Sequence, residues 1–395
     1  MSAHAAPAMS ARRVSLIGAL LVAVGPIAMS LYLPSMAEIV RAFDTTPAMV
    51  KLTLTLYFGG FACAQLVAGP LSDALGRRPV TFLFIGGFSA ASLLALFAPT
   101  IEFLIVARFL QGVGASAGVA VSRAIVRDTF SGEDSVRIMN LIGIILGLGP
   151  ALAPTIGGLM ITLAGWRSVF LLMALFGMAI ILIMALGTRE TASPDRAPLR
   201  LRGLASAYRV VLADRQFLTA SLVIGGAVGA IYAESTFLPF ILIDMVGLSP
   251  TQFGAGMLLH SGAFLTGSML MRVLMARVRS EKLVLVGLGF ILAGSLTMTL
   301  LLVWGPGFLR VMVPVAIYSF GIAFVMPSMT TAALAPFSRN AGAASAMMGF
   351  IQMGSGLFFG TIGAMIGAPI VAMGVLIPLM GALACIAYMF FRRIA

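Results

Sequence analysis

The sequence predicts an all-α integral membrane protein, with twelve transmembrane helices arranged as two pseudo-symmetric bundles of six. Three observations carry this. Of 395 residues, 60% are hydrophobic and only 10% are charged, with a mean hydropathy of +1.09. A soluble domain carries roughly 25% charged residues. Apolar runs long enough to span a bilayer recur from one end of the chain to the other. The alternating short segments of a membrane β-barrel are absent. Cys63 and Cys385 lie within apolar runs and read as buried free thiols, so they say nothing of redox compartment.

The elements follow in order. The first span is Val14–Pro34, introduced by Arg12 and Arg13. That pair has the look of a twin-arginine export signal, but the apolar run is too long for a signal core and many spans follow. Next come Met49–Leu71 and Val80–Ala98, joined by a short loop carrying Arg77 and Arg78. Ile101–Ser122 and Ile138–Leu163 flank a second basic loop, and Val169–Leu186 completes the first set. The second set is Phe217–Ile243, Phe253–Val273, Leu283–Val303, Phe308–Leu334, Gly342–Ile366 and Pro369–Phe391. With the N-terminus placed in the cytoplasm, 20 of the 25 Lys and Arg fall at cytoplasmic ends or loops. Arg41, Lys51, Arg167 and Arg310 fall outside, and Arg108 lies within a span. The asymmetry fits the positive-inside rule, and it explains the net charge of +12 without nucleic acid.

The longest loop divides the chain into residues 1–187, a cytoplasmic linker at 188–216, and residues 217–395. The linker contains "LRLRGLASAYRVVL", readable either as a short helix on the membrane surface or as a plain polar connection. The halves echo each other weakly. "YLPSM" from Tyr32 is matched by "FLPFI" from Phe237. An internal repeat of this kind implies a binding site between the halves, near the midplane.

Three motifs carry chemistry. "GPLSDALGRRPV" spans Gly69 to Val80. Gly69 and Gly76 give backbone room, Asp73 suits the positive end of a neighbouring helix, and Arg77 and Arg78 can pair with acids such as Asp128. "GLGPALAPTIGG" holds Gly147, Gly149, Pro150, Pro154, Gly157 and Gly158 in the fifth span, weakening the helix and flattening its face. "RFLQGVGASAG" starts with Arg108, an intramembrane cation that is costly unless paired, hydrated or snorkelling outward.

The first motif matches the G-x-L-(a)-D-x-x-G-R-[RK] loop of the major facilitator superfamily. The resemblance implies that Asp73 faces the start of the eleventh span, near Asn340 to Gly342. The second resembles the antiporter motif of drug:proton exporters in that superfamily. The third, with "SRAIVRD" from Ser122 to Asp128, resembles the Bcr/CflA-like multidrug resistance branch, in which the arginine is tied to proton coupling. That branch usually carries an acid four residues before the proline of its "YLP", and here the position is Ser30.

Glu234 stands alone, with no other charged residue between Arg215 and Asp244. Such a residue is functional by default. It lies five residues before Pro239, within one residue of the repeat-related position of the missing acid. We read it as the titrating carboxylate, moved from the first half to the second. A permanently neutral acid, or a permanent partner of Arg108, are the bland readings. His260 is a second proton-relay candidate, or else a helix-contact histidine. The proton-coupling set is thus Glu234, Arg108, His260 and Asp128. Ser30, Tyr32, Tyr57, Tyr232, Glu234, His260, Tyr318 and Gln352 are the expected substrate residues, being polar groups in apolar spans.

No phosphate-binding loop, H-E-x-x-H or G-x-S-x-G is present, which argues against an ATP-driven pump or an intramembrane hydrolase. Neither a cofactor nor a metal is expected. The reading is a monomeric, multi-pass, proton-coupled exporter of small, mostly apolar molecules. Its setting is a bacterial inner membrane, with both termini cytoplasmic. Its expected partners are the small-molecule substrate, protons and the lipid bilayer. A transporter of one specific metabolite is the alternative, and a scaffold or sensor a more distant one.

Overall fold

A computed structural model describes residues 9–130, 138, 142, 151–191, 201–337 and 341–394, with backbone alone at 201 and 202. Among these residues the regular structure is helical throughout, and eleven helices are long and apolar enough to cross a membrane. The first half holds α1 (Ala11–Tyr32), α2 (Met36–Ala42), α3 (Pro47–Leu75), α4 (Arg77–Leu96), α5 (Ile101–Ala115), α6 (Ala117–Thr129), α7 (Ala151–Ala164) and α8 (Arg167–Gly187). After α9 (Leu201–Ala213) come α10 (Arg215–Ser235), α11 (Pro250–Leu274), α12 (Ser280–Thr299), α13 (Leu301–Trp304), α14 (Phe308–Leu334), α15 (Ala341–Ile366) and α16 (Pro369–Ile394). The helix α7 is the described part of the expected fifth span. Gly147, Gly149 and Pro150 lie outside the described residues.

Two expected spans are not single helices. Span one stops at Tyr32, passes through a tight turn at Leu33–Ser35 and resumes as α2. Span seven stops at Ser235 and resumes over Phe240–Met245 with wider turns, Val246 N donating to Ile241 O at 2.9 Å. Proline explains both. Pro34 has no N–H for the carbonyl of Ser30, and Pro239 has none for Ser235. Apolarity continues across each break, which is why hydropathy reads through it.

Among the described residues the halves meet at several places. At the end carrying Arg41 and Asp244, α7 crosses α11 with almost no space between backbones. A Cβ at Gly158 would collide with the carbonyl of Pro250, and one at Gly254 with that of Pro154. Small residues permit such a crossing. Thr155 Oγ1 donates to Gly254 O at 3.0 Å, Thr162 bonds Thr251 at 2.9 Å, and Arg41 approaches Asp244 at 3.9 Å. Elsewhere α3 lies along α15, and Arg123 of α6 bonds Ser345.

The linker is helical in α9. Its Tyr208 donates to the backbone carbonyl of Leu66 in α3. That carbonyl is free because its helical partner would be residue 70, a proline. Burial pushes the Tyr208 phenol up to about 12, so it stays a donor at physiological pH. Asp214, the one residue between α9 and α10, caps α10, accepting from Phe217 N at 2.7 Å. Cys63 and Cys385 are free thiols, but Cys63 is exposed rather than buried, because it faces outward from α3.

Candidate functional site

In the second half, buried polar groups gather where α10 breaks. With Pro239 disrupting the ladder, Thr236 N bonds Ala233 O at 3.0 Å and Phe237 N bonds Glu234 O at 2.8 Å. This tightened turn holds Glu234 inside the bundle, 2% exposed. Its Oε1 lies 3.5 Å from Nδ1 of His260 on α11. Ser319 of α14 places its hydroxyl 3.0 Å from the same Nδ1 and 3.4 Å from Nε2. Glu234 Oε2 is buried with no hydrogen-bond partner among the described residues. Tyr318, adjacent to Ser319, is buried, and its hydroxyl donates to Gly226 O at 3.3 Å. Three helices therefore bring a carboxyl, an imidazole and a hydroxyl together. A carboxyl beside an imidazole can hold one proton or two and release the second to water or substrate.

A different cluster fills the corresponding region of the first half. Arg108 is wholly buried. Its guanidinium lies over the ring of Tyr32 at 4.3 Å and that of Tyr57 at 4.4 Å. Nη1 donates to Gln111 Oε1 at 2.8 Å, and Gln111 Nε2 donates to Ser92 Oγ at 2.6 Å. Nε and Nη2 have no partner among the described residues. The tyrosines are themselves fixed, Tyr32 by Thr53 at 2.5 Å and Tyr57 by the carbonyl of Gly25 at 2.9 Å. Arg108 thus neither snorkels outward nor pairs with Glu234. The ring faces stabilise its charge in place of an acid.

The remaining candidates divide between places. Ser30 is buried on the last turn of α1. Tyr232 packs on Phe58 across the halves, ring centroids 5.3 Å apart, and Gln352 is partly exposed on α15. Asp128 does not join either cluster. It accepts from Arg77 Nε at 2.8 Å, while Arg77 Nη1 donates to Asp73 at 2.5 Å and to Ser72 at 3.0 Å. Arg127 approaches Asp73 at 3.8 Å. The approach of Asp73 to Asn340 falls outside the described residues.

At the end of α4 in this corner the acid is Glu190, not Asp73. Its two oxygens accept from the backbone N–H of Arg77 at 2.9 Å and Arg78 at 3.0 Å. Gly76 makes room for it. Its φ is +101°, and a Cβ there would sit 2.7 Å from Glu190 Oε2. Gly69, by contrast, is not crowded, since its Cβ would meet nothing closer than Ala120 Cβ at 4.0 Å. Of the expected antiporter-motif residues, Gly157 and Gly158 lie against other backbones and Pro154 lies under Gly254.

Sequence reasoning missed Glu190, Ser319, Gln111 and Lys51. Glu190 contacts residues far away in the chain, and nothing local marks it. Lys51 read as an outer basic residue but is wholly buried. A cavity of about 530 Å³ in the second half, lined in part by Ser280, Glu281, Tyr388 and Arg392, involves none of the expected substrate residues.

Fold and clusters together define a class: a polytopic helical bundle in two halves, with unlike ionisable groups buried on either side of the seam. The chain belongs to the Major Facilitator Superfamily, whose model matches residues 16–361. It is 31% identical over 338 residues to the MFS-type transporter YdgK of Bacillus subtilis (strain 168), covering 85% of this chain and 84% of that one. It is 26% identical over 340 residues to a bicyclomycin resistance protein homolog of Haemophilus influenzae (strain ATCC 51907 / DSM 11121 / KW20 / Rd), covering 85% of each. Among solved structures, the xylose transporter XylE from E. coli in a partially occluded inward open conformation has a TM-score of 0.76 at 11% identity over 97% of each chain. That last likeness concerns the fold alone. The expected fold class, family and Bcr/CflA-like branch are borne out.

Proposed function

We propose that the chain is a proton-coupled exporter of small, mostly apolar organic molecules, working by alternating access. Its setting is a bacterial inner membrane with both termini in the cytoplasm. Family membership and the resistance-protein relative support export. The basic residues gathered at one set of loops support the orientation. On that orientation the Arg41/Asp244 end is the outer one, and it is closed.

The observation that carries proton coupling is the Glu234–His260 contact, with Ser319 on the imidazole and one carboxyl oxygen unpartnered. Glu234 takes up a proton from one side and gives it up when the seam reopens or substrate arrives. His260 receives or stabilises the charge in transit. Arg108 shapes the field on the opposite side of the seam. Tyr232, part-buried where the halves meet, offers polar-tipped aromatic surface to an apolar substrate.

The test is Glu234→Gln in proteoliposomes with an imposed pH gradient. Gradient-driven transport is expected to collapse, and substrate-induced proton release to vanish, while exchange of labelled for unlabelled substrate persists. Driven transport with an unchanged pH profile would overturn the assignment.

A further inference from the structure

Among the described residues, the contacts named at the Arg41/Asp244 end are satisfied ones, and Lys51 stands against them. Lys51, on the first turns of α3, is wholly buried there. Among the described residues its Nζ has no hydrogen-bond partner and forms no ion pair with Asp244 or any other carboxylate. Two rings of the other half lie by the ammonium, that of Phe237 at 5.8 Å and that of Phe240 at 5.4 Å. Both rings sit on the segment that Pro239 breaks, so the lysine of one half is pressed against the hinge of the other.

Two effects oppose each other. Ring faces attract a cation, but the attraction fades toward about 6 Å from the centroid, and both rings are close to that limit. Removing an ammonium from water with no counter-charge costs more than such contacts return. Desolvation therefore wins. Lys51 does not clasp the seam but loads it.

We propose that Lys51 is a gate residue that biases the Arg41/Asp244 end toward opening: closing that end strips water from its ammonium, and opening returns it. The inference rests on the alternating-access part of the proposed function and is independent of Glu234. A closed state burdened in this way is left readily, which keeps the cycle from stalling with that end shut.

The sign of one substitution decides the matter. Spin labels are placed on Ala42→Cys and Met245→Cys, both exposed at this end, with Cys63 and Cys385 replaced by Ala. Distance distributions are then measured by pulsed electron resonance in lipid nanodiscs. Lys51→Met keeps length and removes charge. It is expected to raise the closed-to-open ratio about tenfold and to slow turnover. Lys51→Arg should keep the wild-type distribution. A shift of Lys51→Met toward the open state would show that the ring contacts clasp the seam, and would overturn the proposal. An unchanged distribution would overturn it too. Should Lys51→Met fail to fold, Lys51→Gln removes the charge while keeping a polar tip, and must shift the distribution toward closed; a shift toward open or none overturns the proposal. The readout needs neither substrate nor a proton gradient, so failure here leaves the Glu234 assignment untouched, and failure there leaves this one.

Discussion

The two proline breaks are repeat-related, yet they carry opposite chemistry. At the first, Ser30 and Tyr32 end α1, and the charge nearby is Arg108, held between tyrosine rings with no acid. At the second, Glu234 ends α10 and meets an imidazole. The backbone device is shared, because a missing N–H acts alike in both halves. The side chains have diverged. A guanidinium keeps its proton at any physiological pH, whereas a carboxyl–imidazole pair can exchange one. On the proposed mechanism, one break supplies a fixed charge and the other a variable one.

The largest break in this comparison is Glu234→Gln, which leaves the cluster at the second break with an imidazole and no acid. Proton-driven transport should fall roughly a hundredfold or more in the gradient assay, the order expected when a positioned proton-transfer group is lost. Next comes the crossing that brings the halves together. Gly158→Leu drives a side chain into the backbone of Pro250, and overpacking of this kind costs about 1–3 kcal/mol. Turnover should drop about tenfold while substrate affinity, measured by direct binding, changes much less.

The comparison is sharpened by a matched pair. Arg108→Lys loses the planar stacking and is expected to slow transport severalfold without moving the midpoint of its pH profile. His260→Asn should move that midpoint. If both variants shift it, the fixed-versus-variable division fails. The smallest effect belongs to Ser319→Ala, which removes one hydrogen bond to the imidazole, worth about 1 kcal/mol. It should shift the midpoint by less than one pH unit and leave expression unchanged.

Much of this architecture is legible in the sequence, because bilayer-spanning apolarity is a local property. The breaks were half legible. "YLPSM" and "FLPFI" mark them, yet hydropathy runs on to Ile243 without a pause. Glu234, His260 and Arg108 stood out as costly residues in apolar surroundings. Their groupings did not, since these depend on how α10, α11 and α14 cross. Arg108 and Glu234 were candidates for one another, and each found closer company in its own half. Lys51 read as a basic residue at the outer end of the second span, and its packing by Phe237 and Phe240 of the other half leaves no local trace. Glu190 gave no sign, since its role lies on a helix more than a hundred residues earlier.

The bond from Tyr208 to Leu66 has a mechanical consequence. The linker helix rides with the second half, but its hook rests in a notch that Pro70 leaves in the first. That makes it a detent. Rocking one half against the other must lift the hook out or drag α9 along with α3. A single hydrogen bond of about 1 kcal/mol changes a dwell time roughly fivefold, enough to set a rhythm and too little to lock the machine. On the proposed alternating-access cycle, the connection that looks like slack in the sequence would act as a timing element, tuned by one phenol and one missing amide hydrogen.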